Sequence, residues 1–183
     1  MLARQILEKP RKTSSGARPE RPDHRPARLR FRQIHLDFHT NERIVGVGAR
    51  FDPAAFAQTL ADAAVNSINL FAWCHHGQLY YDSKRFADLK HPGLKFDLLS
   101  RQLDACHAVD IKAPIYVTFG WDEYVARTHP EWLERDAQGR PFGAGPFEAG
   151  WKKICLGSPA VDYFEQRLLD ALETFAGRID GFW

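Results

Sequence analysis

His75 and His76 stand side by side near the end of an apolar run, INLFAWCHHGQLYY (68–81). Adjacent side chains on an extended chain point to opposite faces, so one of the pair is expected to face a site and the other to support it. Two further stretches carry the same kind of chemistry. QIHLDFHT sets His35, Asp37 and His39 at a period of two, and FGWDEY presents Trp121, Asp122 and Glu123 behind Gly120. Imidazoles and carboxylates exchange hydrogen bonds with hydroxyl groups, and aromatic rings offer apolar faces to the C–H side of a sugar ring. The combination suits a carbohydrate ligand. The trio His35, Asp37 and His39 would alternatively suit a zinc ion, because neutral imidazole with carboxylate is a zinc donor set. Metal-dependent barrels usually show an H-x-H pair on the first strand, whereas here the histidines are four apart. The sugar reading therefore ranks first, and neither metal nor cofactor is expected. His35, in mid-strand, reads as an interior histidine, and Trp73 and Tyr116 read as core. Asp37 is balanced between a site role and a turn or strand contact. The expected binding set is Asp37, His39, His75, His76, Trp121 and Glu123, with no catalytic residue assigned.

The elements that must position these groups alternate along the chain. FRQIHLDF (31–38) reads as a first strand. DPAAFAQTLADAA (52–64) reads as a helix with Asp52 as N-cap and Pro53 at its first position, and Phe51 and Phe56 fall at the two places of a hydrophobic staple. SINLFAW (67–73) is a continuous apolar run of the kind a strand covered on both faces requires. DLLSRQLDACHAVD (97–110) reads as a second helix capped by Asp97, with Leu99, Leu103 and Cys106 on one stripe. APIYVTF (113–119) is a third strand. In 158–177, Ser158 caps, Pro159 starts, and Val161, Phe164, Leu168, Leu172 and Phe175 line one face. IDGFW (179–183) begins a fourth strand.

Strand–helix repeats of this kind imply right-handed crossovers and a parallel sheet, an α/β fold. A doubly wound sheet would show a glycine-rich phosphate turn directly after its first strand. Gly46 and Gly48 make only a G-x-G, and they lie too far along. A (β/α)8 barrel needs no such turn, and eight units take ~250 residues. Residues 31–183 are therefore expected to form the first half of a TIM barrel, about four β/α units, truncated at strand four. In either architecture the ligand site lies at the C-terminal ends of the strands, where the histidines, Trp121 and Glu123 emerge.

Composition bounds the rest. Residues 1–30 hold nine of the 25 Lys/Arg against three of the 23 Asp/Glu, with four prolines and few large apolar residues. They read as a basic, disordered tail. A solvated extension is favoured there over an arm for nucleic acid or anionic lipid, and neither is expected as a partner. No signal-peptide core and no run of about 18 apolar residues is found. Three separated cysteines without a CxxC argue against a disulfide framework or structural zinc and suit a reducing cytoplasm.

Taken in order, QIHLDFHT, FAWCHHGQLYY, HPGLKFDLLSRQLDACH, PIYVTFGWDEY, HPEW and ICLGSP resemble the N-terminal half of bacterial glycoside-hydrolase-like barrels related to α-L-fucosidases, over roughly residues 31–183. The resemblance implies a fucose- or galactose-like ligand. It places a histidine pair after strand two in the sugar pocket, matched by His75 and His76, and a histidine after strand one, matched by His39. Trp121 and Glu123 are the nearest equivalents of an aromatic–acid segment after strand three. The family's nucleophilic aspartate sits at the end of strand four, beyond Trp183, and Asp180 lies at the wrong end of that strand. A retaining glycosidase needs a nucleophile and an acid/base carboxyl roughly 5 Å apart. The expectation is a glycosidase-like parent, a chain inactive by itself, and self-association through open barrel edges.

Overall fold

The computed structural model describes residues 29–142 and 152–183. The expectation of a disordered tail falls on residues 1–28, outside the described residues. Arg30, at the tail's expected end, is held by a 3.0 Å ion pair to Asp110.

Three strands, β1 (Gln33–His35), β2 (Ser67–Phe71) and β3 (Ile115–Tyr116), form a parallel sheet in the order β1-β2-β3. In register, Ile34 faces Ile68 and Leu70 faces Ile115. The expected third strand (113–119) starts later, at Ile115, for a backbone reason. Leu70 N–H donates to Pro114 O at 3.1 Å, but Pro114 has no N–H to return, which leaves the ladder one-sided. A fourth segment joins β3 on its far side. Ile115 N–H donates to Gly181 O (3.0 Å) and Trp183 N–H donates to Ile115 O (2.9 Å), with Ile115 and Phe182 bridged in parallel. Successive segments thus add to one side of the sheet.

The helices follow local signals. α1 (Pro53–Asp62) is capped by Asp52, whose Oδ1 accepts from Ala55 N–H at 2.8 Å. The Phe51 and Phe56 rings meet at 5.4 Å, as a staple requires. α2 (Leu98–His107) is capped by Asp97, accepting from Ser100 N–H at 2.7 Å. It packs beside α1 and against β2, burying Leu99, Leu103 and Cys106 completely. Each of the two leucines contributes about 1.5–3 kcal/mol on leaving water. Between β3 and the last helix lies α3 (Glu123–Thr128), a six-residue helix that the sequence reading passed over. Asp122 caps it, accepting from Val125 N–H at 2.8 Å.

α4 (Ala160–Thr174) corrects the expected apolar face. Phe164 and, just past its end, Phe175 are buried, but Val161 and Leu172 are 49% and 38% exposed. The helix is turned so that Arg167 and Asp170 point inward, at 0% and 2% exposure. Their partners come from distant segments, which helical periodicity cannot see. Ser158 also shifts in role: Pro159 takes the cap position, and Ser158 Oγ accepts from Ala160 N–H. Among the described residues, no helix is long and apolar enough to cross a membrane.

Candidate functional site

The chain leaving β2 folds back on itself at once. Trp73 and Leu79 bridge in antiparallel fashion, Tyr80 N–H returns to Ala72 O at 3.0 Å, and Gly77 N–H closes a turn onto Cys74 O at 2.9 Å. His75 and His76 occupy the tip. Gly77 is required there twice over. Its φ of +86° is the left-handed region, and a Cβ would sit 2.6 Å from both Asp122 Oδ1 and Tyr124 Cβ.

The two histidines diverge, as adjacent residues should. His75 turns toward β1 and β3. Its ring centroid lies 4.3 Å from that of His39 and 6.4 Å from Trp121. The Tyr116 hydroxyl is 3.0 Å from His75 Nε2. His39 Nδ1 accepts the His75 backbone N–H at 3.3 Å, so neutral His39 carries its proton on Nε2, 3.8 Å from Asp37 Oδ1. His76 turns the other way. Its Nδ1 is 2.6 Å from Glu123 Oε2, and the other Glu123 oxygen lies 3.4 Å from Arg127, which also reaches Glu42 at 3.4 Å. Glu123 is tied back by its own N–H, which donates to His75 O at 2.7 Å.

Burial, reinforced by the neighbouring imidazoles His39 and His76, holds the pKa of His75 down to about 4. Burial also lowers that of His39, against the pull of Asp37. Both rings are therefore neutral near pH 7, each carrying one N–H donor and one ring-nitrogen acceptor. The Cys74 thiol behind them is raised by burial, which keeps it protonated and unreactive.

Two buried groups brace these loops. The Tyr80 hydroxyl donates to Phe38 O (2.7 Å), accepts from Thr40 N–H (3.1 Å), and touches Cys74 Sγ at 3.1 Å. Asp122 and Arg167 form a fully buried ion pair at 2.7 Å.

Of the six expected residues, His39, His75 and Trp121 fall in one ring cluster, and His76 with Glu123 forms an adjoining pair. Asp37 stands at the rim with its side chain 72% exposed. His35 lies outside that set, its ring against Phe71, Tyr116 and Trp183. Among the described residues, no group of three or more His, Cys, Asp or Glu is gathered to hold a metal ion. The sequence reading assigned Tyr116 to the core and missed His91, Tyr80 and Arg167 as supports. His91 is fully buried and spans two turns, with Nδ1 accepting from Gly93 N–H and Nε2 facing Asn41 O. For Arg167 a signal existed: a charge on the stripe that holds Phe164, Ala171 and Phe175. Two wide cavities lie elsewhere. One of about 630 Å³ lies in the groove between α1 and α2, with Ala54, Ala57, Ala105 and Ala108 on its walls beside Gln58 and Arg101. One of about 1110 Å³ opens at the N-terminal strand ends, where Lys112 and Asp180 pair at 2.9 Å. Neither gathers acid–base and aromatic groups as the His39–His75 cluster does.

A model of the family described as hypothetical glycosyl hydrolase 6 matches residues 52–183. Among solved structures, alpha-L-fucosidase isoenzyme 2 from Paenibacillus thiaminolyticus is similar with a TM-score of 0.76 at 39% identity, covering 81% of this chain and 22% of that one. The chain thus spans about a fifth of that fucosidase's length. An alpha-amylase from Lactobacillus plantarum (TM-score 0.50, 16% identity, covering 82% of this chain and 36% of that one) shares the fold. So does an alpha-fucosidase from Thermotoga maritima in complex with a mechanism-based inhibitor (0.50, 14%, covering 72% and 28%). No curated protein matches the chain. With the family match spanning most of the described residues and the Paenibacillus enzyme 39% identical, this chain belongs to the hypothetical glycosyl hydrolase 6 family and is related to fucosidase-like glycoside hydrolases.

Proposed function

We propose that residues 31–183 are the first four strands of a fucosidase-type (β/α)8 barrel. In this reading they contribute the sugar-binding half of its site, and the ligand is a fucose- or galactose-like monosaccharide. The observation that carries the reading is the cluster of neutral His39 and His75 with Tyr116 and Trp121 beside the C-terminal ends of parallel strands. His39 Nε2–H donates to a ring hydroxyl, His75 and Tyr116 share a second, and Trp121 takes the apolar face of the sugar. His76 and Glu123 border this cluster, with Asp37 at its exposed rim.

Glycoside cleavage with retention needs a nucleophile and an acid/base carboxyl roughly 5 Å apart across the scissile bond. Two of the three carboxylates near the rings are engaged otherwise, and Asp37, exposed at the rim, cannot by itself supply both members of the pair. Glu123 is held by His76 and Arg127, and Asp122 is sealed under Arg167. We therefore assign this chain binding without turnover, the reacting pair belonging to other strands of a complete barrel.

Calorimetric titration with L-fucose and D-galactose tests the binding. His75→Ala is expected to weaken it at least tenfold, and prior treatment with a chelator to leave it unchanged. Aryl fucoside hydrolysis by the 183-residue chain is expected at background. Robust turnover abolished by Glu123→Gln would overturn the assignment, and strict zinc dependence would favour a metallohydrolase.

A further inference from the structure

We infer that Arg167, on the far helix α4, is a positioning residue that sets the two halves of the candidate sugar site against each other, an inference that rests on the site proposed above. Its guanidinium lies at 0% exposure and donates in two directions, to Asp122 Oδ2 at 2.7 Å and to Gly77 O at 3.1 Å. Gly77 directly follows His76. Asp122 lies between Trp121 and Glu123. One planar fork therefore fixes a backbone position next to the histidine pair and a side chain next to the aromatic–acid pair, while its face stacks on Trp73 at 4.6 Å.

A purely structural role fits this arrangement poorly. A buried ion pair gains little over apolar residues of the same volume, since desolvating both charges offsets their attraction. An apolar pair would fill the space between α4 and the sheet but could bond neither the Gly77 carbonyl nor the cap of α3. Gly77 has no side chain because Asp122 Oδ1 occupies the place where its Cβ would lie. The hairpin tip and the start of α3 are thus in direct contact, and Arg167 bonds both. Three residues along α4, Asp170 accepts from the Tyr81 hydroxyl at 2.8 Å and holds the far arm of the same hairpin. With both in place, the His76–Glu123 contact and the Glu123 N–H bond to His75 O follow from the backbone.

The test follows the full 183-residue chain by NMR, reading the imidazole signals of His75 and His76 and the amide exchange of Glu123 against that of Ile68 and Leu70. Arg167→Lys keeps the charge but cannot bond Asp122 and Gly77 in one fork. It is expected to speed Glu123 exchange at least tenfold and to move the His76 ring signals, with Ile68 and Leu70 unchanged. Asp122→Asn keeps the α3 cap and removes the charge. It is expected to move the His76 signals in the same direction. Wild-type His76 signals and Glu123 exchange in Arg167→Lys would overturn the inference. So would exchange rising at Ile68 and Leu70 together with Glu123 in both variants, because the pair would then support the whole domain. L-fucose titration forms a separate arm, in which Arg167→Lys is expected to raise Kd at least fivefold. Absence of L-fucose binding by the wild-type chain would count against the sugar reading while leaving the NMR result to stand by itself.

Discussion

The loops after β1 and after β2 both bring histidines to the same end of the sheet, yet they are held very differently. All five residues of β2 are buried, and beyond it Trp73, Cys74, Leu79, Tyr80 and Tyr81 are completely enclosed. All three residues of β1 are exposed, and nearby Phe31 and Val45 are 85% and 88% open. The β2 hairpin is clamped by α4 and packed on α2. The β1 exit borrows its order from that hairpin, through His39 on the His75 amide and through Phe38 and Thr40 on the Tyr80 hydroxyl. Half of the ring cluster is thus built into the core, and the other half leans on it.

The largest expected break in this contrast is a cavity beneath β2. Leu103→Ala should cost about 2–5 kcal/mol in urea unfolding, whereas Ile34→Ala on β1 should cost well under about 1 kcal/mol. Similar losses at both sites would show β1 to be as firmly packed as β2. The helix caps give a smaller version of the same asymmetry. Asp52 caps α1 alone, but Asp97 also accepts from Asp82 N–H at 3.1 Å and so ties down the β2 loop. Asp97→Ala is expected to cost about 1–2 kcal/mol and Asp52→Ala about 0.5–1 kcal/mol, read from chemical denaturation midpoints.

The smallest effect is expected from pH. His75 stays neutral in the folded chain down to about 4, against an ordinary value of 6.5. Between those values the unfolded chain binds a proton that the folded one refuses. The stabilisation is therefore complete above about 6.5 and is lost as pH falls toward 4. His39, also lowered, adds with the same sign. The rings are partly enclosed rather than sealed in the core, so solvent screening keeps the total small. Thermal midpoints at pH 7.5 and 5 should differ less for His75→Gln than for the wild type, and an equal difference would remove His75 from the account.

What the sequence made legible was local. Asp52-Pro53 and the stripe of Leu99, Leu103 and Cys106 announced α1 and α2 because a cap and a heptad-like spacing lie within a few residues of each other. His75 and His76 were visible as polar residues at the mouth of an apolar run. The roles of Arg167 and Asp170 were not, although Arg167 stood out as a charge on an apolar stripe, because a buried charge is tolerable only beside a partner, and Asp122 and Tyr81 lie 45 and 89 residues away. The start of β3 was obscured for the opposite reason. Pro114 sits inside a strand-like pattern and silently withholds a donor.

The phenol of Tyr80 has a mechanical consequence for the gap between His39 and His75. Its oxygen is bonded to the segment carrying His39 while its ring is embedded in the hairpin carrying His75. The length of one tyrosine side chain therefore acts as a gauge block between the two imidazoles. They shift in concert or not at all, and a guest hydroxyl meets an aperture of preset width rather than one that must be closed around it.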